Sequence, residues 1–310
     1  MRVVVIGAGA MGSLFGGRLA AGGKHEVWLL DPWVEHVAAL RTNGLTLVNP
    51  DGMVEQIAVN VTTEASAVPT PADLALIFVK SHATRRAAEQ ASPLLGENGL
   101  ALTLQNGLGN HETIASVVGA GRVIQGVTSH GATLLGPGHV RHAGVGPTHL
   151  AAAPEQRPAV AVIAAAFSAA GLATDIQTDL ETLIWGKLIV NVGINALTAL
   201  LRVQNGVLAE VPEARLLLVQ AITEAVAVAR AAGIALPYDD AVSHVLAVAR
   251  ATGANRSSML ADVLRGAPTE VEVINGSIVR VAERLGMDAP VNRMLTALVR
   301  ALDTTAGRRV

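Results

Sequence analysis

Three polar side chains interrupt the otherwise apolar segment WGKLIVNVGINALTAL, which has the composition of a buried helix. Lys187, Asn191 and Asn195 recur every four residues, and this spacing places them on one face of a helix. Burying an ammonium group and two amides is costly unless each of them finds partners. The stripe therefore predicts either a polar seam that faces a bound molecule or a helix edge lined by water.

A glycine-rich loop near the N-terminus supplies a second candidate site. The segment VVVIGAGAMG places Gly7, Gly9 and Gly12 in the pattern G-x-G-x-x-G, between a predicted strand and a predicted helix. Gly7 permits a tight turn, Gly9 lets the backbone approach a pyrophosphate, and Gly12 lets the helix pack closely on the strand. With Ala10 and Met11 at the helix start, the loop predicts a dinucleotide site; the alternative is a glycine-rich turn without a ligand.

An acidic residue ends the second predicted strand. Asp31 follows Gly12 by about 20 residues, the offset at which a carboxylate accepts hydrogen bonds from the adenosine ribose. Since a carboxylate would repel a 2′-phosphate, Asp31 favours NAD(H) over NADP(H). Arg41 and Lys80 keep NADP(H) open, because either cation could reach a phosphate. Asp31 could instead only begin the turn before Pro32.

A nicotinamide cofactor gives the polar stripe a chemical role. When a ketone accepts a hydride, its oxygen gains negative charge and needs a proton. The ammonium of Lys187 could stabilise that charge and donate the proton, while Asn191 and Asn195 could hold hydroxyl or carboxylate oxygens of the substrate.

Four further residues are candidates for the same site. Asn106, in the QNG that follows a predicted strand, could face the nicotinamide or form an ordinary turn, and Asn205 lies just beyond the striped helix. Ser258, at an apparent helix start, could bind a carboxylate or belong to a plain N-cap. Glu270 is predicted in the first turn of a helix, where it could complement the helix dipole or reach Lys187 and tune its pKa.

The order of predicted elements indicates two domains. Apolar β-branched runs alternate with helical patterns in the first half, which predicts a doubly wound sheet with crossover helices. Residues 121 to 153 predict antiparallel strands that close this domain, and the sequence after Asp179 is almost wholly helical. We therefore predict a dinucleotide-binding Rossmann domain at residues 1–177 and an all-α substrate and catalytic domain at residues 178–310.

Composition narrows the class of protein further. A net charge of −2 gives no sign of a nucleic-acid or membrane partner, and we predict no transmembrane segment. The absence of cysteine excludes disulfides and thiolate chemistry and fits a cytoplasmic protein. His139 and His142 lie close together, but the sequence contains no metal-binding motif, so we expect no metal.

The segments GAGAMG, QNG, WGKLIVNVGINALTAL, NRSSML and TEVEVINGSIV resemble, in this order and spacing, the ketopantoate reductase (2-dehydropantoate 2-reductase) family. The resemblance runs from about Met1 to about Leu298. It implies a Rossmann domain followed by a helical domain similar to that of 6-phosphogluconate dehydrogenase. It also implies the NAD(P)H-dependent reduction of the 2-oxo acid ketopantoate to pantoate, in pantothenate biosynthesis.

The resemblance assigns roles to individual residues. It implies that Lys187 is the general acid, that Glu270 assists it, and that Lys80 contacts the cofactor. It further implies a substrate site lined by Asn106, Asn191, Asn195, Asn205 and Ser258.

One position departs from the family pattern. The family commonly carries a basic residue at the end of the second strand, where this chain has Asp31 in LLDPW. Relatives of the same fold reduce other branched or aromatic 2-oxo acids to D-2-hydroxy acids, some of them with NADH. An NAD-dependent D-2-hydroxy acid dehydrogenase is therefore the alternative. A dinucleotide-binding protein without turnover is disfavoured, because Lys187 and Glu270 are both present.

The Ala- and Val-rich C-terminal helices could pair two subunits in a homodimer or form one core.

Overall fold

The computed structural model describes residues 1–308, which form two compact units. The first unit contains Met1–Gln105 and Asn110–Leu180, and the second contains Asn106–Gly109 and the chain from Glu181 onward. The first is an α/β unit with a mainly parallel sheet and the second is helical, so the predicted fold class is confirmed. The functional domain limits of 1–177 and 178–310 stay predictions.

Strands and helices alternate through most of the first unit. The strands are β1 (Arg2–Ile6), β2 (Glu26–Leu30), β3 (Leu45–Val48), β4 (Val54–Ile57), β5 (Asn60–Thr62), β6 (Ala72–Ile77), β7 (Leu95–Thr103), β8 (Val123–Thr128), β9 (Gly131–Gly136), β10 (His139–Gly144), β11 (Thr148–Ala151) and β12 (Thr174–Gln177). The helices are α1 (Ala10–Ala21), α2 (Val34–Asn43), α3 (Thr84–Ala91), α4 (Asn110–Val118) and α5 (Arg157–Ala169).

The large sheet has the strand order of a Rossmann fold. Neighbouring strands in the spatial order β5-β2-β1-β6-β7-β8 all run parallel. The order reverses between β1 and β6, and sheets of this kind bind ligands at such a reversal, beyond the carboxyl ends of the strands. The glycine loop follows β1 and Lys80 follows β6, so both lie at this edge.

Burial on both faces explains the sequence of the central strand β1. Val3 and Val5 belong to one apolar cluster, and Val4 and Ile6 belong to another on the opposite face. All four side chains are at most 2% exposed. A parallel strand covered by helices on both sides needs such a continuous apolar run rather than an alternating one.

The prediction of antiparallel strands between residues 121 and 153 holds for only one side of β8, which is antiparallel to β11 but parallel to β7. This strand runs parallel to β7, because α4 provides the crossover that parallel strands require. The other strands of this region are antiparallel to a neighbour: β11 pairs with β8, and β9 pairs with β10. β10 also joins the hairpin of β3 and β4, which gives a second sheet of four strands.

The second unit is built from helices around one apolar core. Its helices are α6 (Leu180–Leu201), α7 (Val207–Glu210), α8 (Pro212–Ala231), α9 (Ala241–Ala251), α10 (Ser258–Leu264), α11 (Asn275–Arg284) and α12 (Pro290–Thr304). Among residues 1–308, only α6 is long and apolar enough to span a membrane by length and composition. Because 67% of the apolar stretch of α6 is buried inside the protein, α6 has the character of a core helix.

Residues Asn106–Gly109 belong to the helical unit although they follow β7 in the sequence. The Leu108 amide donates a hydrogen bond to the carbonyl oxygen of Val273, at 3.0 Å. Gly107 has a φ of +83°, and a Cβ added to it would lie 2.1 Å from the same oxygen. Only glycine fits this approach, so Gly107 fixes the backbone next to Asn106 within the second unit.

Replacing Gly107 by alanine should therefore destabilise the protein more than the same change at Gly109. Both glycines have positive φ, but a Cβ at Gly109 would meet nothing within 4 Å. We expect Gly109→Ala to cost about 1 kcal/mol of unfolding free energy, from backbone strain alone. Gly107→Ala should cost roughly 1–3 kcal/mol more, because the carbonyl of Val273 must move. Denaturant unfolding measures both variants, and equal losses would contradict the packing role of Gly107.

Candidate functional site

The three glycines of the loop have different environments. Gly7 has a φ of +92°, and an added Cβ would lie 2.7 Å from the amide nitrogen of Val79. A Cβ on Gly12 would lie 2.0 Å from the carbonyl oxygen of Gly7. A Cβ on Gly9, in contrast, would meet nothing within 4 Å. Packing thus requires Gly7 and Gly12, whereas the backbone at Gly9 borders open space that a phosphate group could enter.

Helix α1 begins directly after this open position. Gly9 is its N-cap and has extended backbone angles, and Ala10 and Met11 are its first residues. No side chain caps this helix start, and the first turn contains no acidic residue. The first N–H groups of a helix lack intrahelical acceptors and carry partial positive charge. The residues of the loop therefore fit a pyrophosphate, as the sequence pattern predicts.

Asp31 is bonded to the glycine loop. Its Oδ2 accepts a hydrogen bond from the Ala8 amide at 2.7 Å, and its Oδ1 accepts one from the Trp33 amide at 2.9 Å. The carboxylate therefore forms the turn at the strand end and holds the loop as well. Since each carboxylate oxygen has more than one lone pair, Asp31 can still accept hydrogen bonds from a ribose.

A buried histidine, which the sequence pattern did not reveal, fixes the other side of the Ala8 peptide. His36 is fully buried, and its Nδ1 accepts a hydrogen bond from the Gly138 amide at 3.0 Å. Nε2 therefore carries the proton and faces Ser13 Oγ at 3.3 Å, and that hydroxyl donates to the carbonyl of Ala8 at 2.6 Å. Burial lowers the pKa of His36, so the ring stays neutral in this arrangement.

The cations considered for a 2′-phosphate differ in their surroundings. Arg41 donates a hydrogen bond to the carbonyl of Val61 at 3.3 Å, which ties the end of α2 to β5. Lys80 is partly buried and lies between the end of β6 and a short 3₁₀ turn, Ser81–Ala83. Of the two, Lys80 is the one at the ligand-binding edge of the sheet.

Lys187 lies on α6 and is partly buried as a residue, with its amine in buried surroundings. Burial lowers its pKa from the ordinary value to about 8, and the nearby Glu270 carboxylate counteracts part of that effect. Glu270 is itself only 6% exposed. Both residues belong to the helical unit, so this electrostatic interaction lies within that unit.

The predicted position of Glu270 in the first turn of a helix is wrong. Glu270 precedes a 3₁₀ turn, Val271–Val273, and α11 begins only at Asn275. The side chain of Glu270 makes no capping hydrogen bond there. Complementing a helix dipole therefore does not explain a buried carboxylate at this position, whereas the charge of Lys187 does.

The other predicted substrate residues are held in different ways. Asn191 and Asn195 follow Lys187 on α6, with Asn191 partly buried and Asn195 buried. Asn205 donates from Nδ2 to the Thr252 hydroxyl at 3.0 Å, while its buried Oδ1 has no hydrogen-bond partner. A buried acceptor without a partner is costly, so Asn205 is suited to receive a donor from a ligand.

Two adjacent serines have separate roles at the start of α10. Ser257 is the N-cap: its Oγ accepts a hydrogen bond from the Leu260 amide at 3.1 Å and lies 2.7 Å from the Thr198 hydroxyl on α6. Ser258 is the first residue of the helix and is exposed. The capping alternative therefore applies to Ser257 and leaves the Ser258 side chain at the surface.

The only tyrosine of the chain supports the turn of α6 next to Lys187. Tyr238 donates a hydrogen bond from its hydroxyl to the carbonyl of Gly186 at 3.0 Å. Burial raises the pKa of Tyr238 to about 12, so the hydroxyl remains a donor. Gly186 admits no side chain, since a Cβ would lie 2.6 Å from Pro237 Cγ. Sequence reasoning missed Tyr238. The only signal that could have found it is that tyrosine occurs once in a chain with 2% aromatic residues.

Within residues 1–308, no cluster of three or more His, Asp or Glu side chains could hold a metal ion. Of the two histidines that lie close in the sequence, His142 is buried and its Nε2 lies 3.0 Å from Nδ1 of the buried His130. Burial lowers the pKa of both paired rings.

A Rossmann sheet with an open glycine loop, followed by a helical unit with a buried lysine and carboxylate, defines the dinucleotide-dependent oxidoreductases of two-domain type. The sequence model of the ketopantoate reductase PanE/ApbA family matches residues 3–155, and the model of its C-terminal part matches residues 179–303. This chain belongs to the ketopantoate reductase family, whose members are oxidoreductases that act on a CH–OH group.

Individual relatives match over nearly their whole length. A 2-dehydropantoate 2-reductase from Halobacterium salinarum is 44% identical over 301 residues, which are 97% of this chain and 98% of the relative. The solved PanE/ApbA family ketopantoate reductase from Ralstonia eutropha is 36% identical, with a TM-score of 0.91 and coverage of 99% and 100%. A D-mandelate dehydrogenase solved with NADH and anilino(oxo)acetate is 28% identical, with a TM-score of 0.90 and coverage of 99% and 100%. The resemblance found in the sequence is thus confirmed.

Proposed function

We propose that this protein reduces the keto group of ketopantoate to give pantoate, with a nicotinamide dinucleotide as the reductant. The observation that carries the proposal is the Lys187 amine, which lies in buried surroundings on α6 near the buried carboxylate of Glu270. The pair occurs in a chain whose relatives of the same length are 2-dehydropantoate 2-reductases. The pair supplies a proton donor, which hydride transfer to a ketone requires.

The first unit would hold the dinucleotide. When bound, this cofactor supplies the hydride. The open backbone at Gly9 and the uncapped start of α1 suit the pyrophosphate, and Asp31 suits the adenosine ribose. The full set of residues proposed to bind the cofactor is Gly7, Gly9, Ala10, Met11, Gly12, Asp31, Lys80 and Asn106.

Lys187 is the proposed general acid. A pKa of about 8 leaves the ammonium mostly protonated at neutral pH, yet makes it a better proton donor than an exposed lysine. The charge also stabilises the oxygen that becomes an alkoxide as the carbonyl is reduced. Glu270 positions the amine and keeps it protonated despite burial. The proposed ligands for the substrate oxygens are Asn106, Asn191, Asn195, Asn205 and Ser258.

We further propose that NADH is the preferred form of the cofactor. Asp31 is fixed beside the glycine loop by two backbone amides, so its charge stays where a 2′-phosphate would have to bind. Lys80, which follows β6, is the candidate for a counteracting cation at this edge of the sheet. The carboxylate of Asp31 therefore decides the preference.

A second candidate function is that of an NAD-dependent D-2-hydroxy acid dehydrogenase for another branched or aromatic 2-oxo acid. Two observations favour it: the acidic residue at Asp31, and the similarity to a D-mandelate dehydrogenase that was solved with NADH. The proton-donating role of Lys187 is the same in both functions, and only the groups that surround the substrate's side chain would differ.

The cellular setting proposed for this enzyme is the cytoplasm, with a small 2-oxo acid as its partner and neither nucleic acid nor membrane. The lack of cysteine and a net charge of −2 support this setting. A homodimer is supported by exposed apolar side chains at the end of α11 and on α12, among them Leu285, Met294 and Leu298.

Replacing Lys187 by alanine should lower kcat for ketopantoate reduction by roughly 10²- to 10⁴-fold, since general acid catalysis contributes that much. The affinity for NADH, measured by its fluorescence change on binding, should stay near the wild-type value. Lys24→Ala is the matched control, because Lys24 is an exposed lysine of the first unit. Turnover that survives in Lys187→Ala would refute the acid role.

The pH dependence of reduction should report the pKa of Lys187. The protonated amine is the active form, so kcat/KM should be level below pH 8 and fall as the pH rises through about 8. The Glu270 carboxylate raises this pKa, so Glu270→Gln should move the decline to lower pH. An unchanged inflection in Glu270→Gln would mean that the carboxylate does not act on the amine.

A panel of branched and aromatic 2-oxo acids, assayed with NADH and with NADPH, tests substrate and cofactor together. Ketopantoate with NADH should give the highest kcat/KM. Since placing like charges together costs several kcal/mol, NADH should be preferred by about 10²-fold or more, and Asp31→Ala should reduce that ratio. A wild-type preference for NADPH would disprove the role of Asp31, and a higher kcat/KM for an aromatic acid would select the second candidate function.

A further inference from the structure

An exposed tryptophan lies beside the glycine loop. Trp33 follows β2, and its amide donates to Oδ1 of Asp31 at 2.9 Å, while Oδ2 of the same carboxylate accepts from the Ala8 amide at 2.7 Å. One carboxylate thus connects the backbone of Trp33 to the loop that is proposed to hold the pyrophosphate. Trp33 therefore lies two residues after the carboxylate that is proposed to accept from the adenosine ribose.

The indole is held flat against a buried ring. Its ring centroid lies 5.2 Å from that of His36, and the two ring planes differ by 9°. His36 is completely buried, whereas Trp33 is 38% exposed. Because one face of the indole covers the imidazole, the exposed surface consists of its other face and its edges. A large aromatic face is therefore left open to solvent.

The supporting ring is fixed in place. His36 is bonded through Nδ1 to the Gly138 amide and through Nε2 to the Ser13 hydroxyl, so it cannot turn without breaking both contacts. Its neutral form presents a flat surface without charge, since burial lowers its pKa. The indole therefore packs on a supporting ring that is already fixed, which reduces the entropy lost when a ligand stacks on it.

We propose that Trp33 is a stacking platform for the adenine ring of the dinucleotide. This inference rests on the proposed use of a nicotinamide dinucleotide and adds the residue that recognises its base. The Asp31 carboxylate would accept from the adenosine ribose, and the next aromatic face along the chain meets the purine attached to that ribose. Base stacking on an aromatic side chain changes affinity by roughly 5- to 150-fold on alanine substitution.

Calorimetric titration with ADP-ribose tests the platform without any turnover, because ADP-ribose contains the adenosine half of NADH but no nicotinamide. Trp33→Ala should weaken ADP-ribose binding by roughly 5- to 150-fold, and Trp33→Phe should retain most of the affinity. Trp28→Phe is the matched control, because Trp28 lies on β2 with its indole N–H bonded to Glu26. Its affinity should equal that of the wild type.

Reduced nicotinamide mononucleotide, which lacks the adenosine, separates stacking from damage to the loop. Its kcat/KM should be the same for the wild type and Trp33→Ala, because it offers no base to stack. Equal losses with NADH and with the mononucleotide would overturn the inference, as would unchanged ADP-ribose binding in Trp33→Ala. In the latter case the proposed reductase function still stands. A wild-type protein that binds neither ADP-ribose nor NADH would refute both.

Discussion

A lysine ammonium in buried surroundings, opposed by one carboxylate, is the interaction on which the catalytic proposal depends. Burial alone would drive the amine toward its neutral form, which has no proton to give a carbonyl oxygen. Full exposure would leave a strongly hydrated ammonium that releases its proton reluctantly. The combination of burial and the Glu270 charge sets the pKa of Lys187 at about 8, close to neutral pH, where a general acid is most effective.

Several contacts of the helical unit serve to keep that amine in place. The Tyr238 hydroxyl and the ring of Pro237 both pack on Gly186, the residue before Lys187. The Gly107 backbone packs against Val273, in the 3₁₀ turn that follows Glu270. A glycine is required at each of these approaches because two backbone segments, or a backbone and a ring, come closer than a Cβ permits.

In the first unit, contacts from outside the glycine loop hold its backbone in place. The N–H of Ala8 is bonded to Asp31 and its C=O to Ser13, which is supported by His36. Both polar groups of one peptide are therefore fixed from outside the loop. A loop fixed in this way is organised before the cofactor arrives, so less conformational entropy is lost on binding.

Local patterns in the sequence were sufficient for much of this account. The apolar run of β1, the three spaced glycines and the four-residue spacing of Lys187, Asn191 and Asn195 are all short-range signals, and each predicts its element correctly. These signals, with the family resemblance, were enough to predict the fold class.

The remaining features depend on contacts between distant parts of the chain. The hydrogen bond from Ala8 to Asp31 and the return of Asn106–Gly109 to the helical unit join segments that no periodicity relates. A 3₁₀ turn follows Glu270 where the sequence pattern predicted a helix start. The Glu270 carboxylate lies near the Lys187 amine, and no local pattern in the sequence reveals that contact. The parallel direction of β8 is likewise set by the crossover through α4.

The pKa of Lys187 in the folded protein is the quantity that tests this account most directly. The chain contains only three lysines, so protein labelled with ¹³C and ¹⁵N lysine gives few side-chain signals, and the spectrum of Lys187→Arg identifies the one that belongs to Lys187. We expect that signal to titrate with a midpoint near pH 8. A midpoint at the value of a free lysine, about 10.4, would show that the amine is not buried beside Glu270 and would contradict its role as the proton donor.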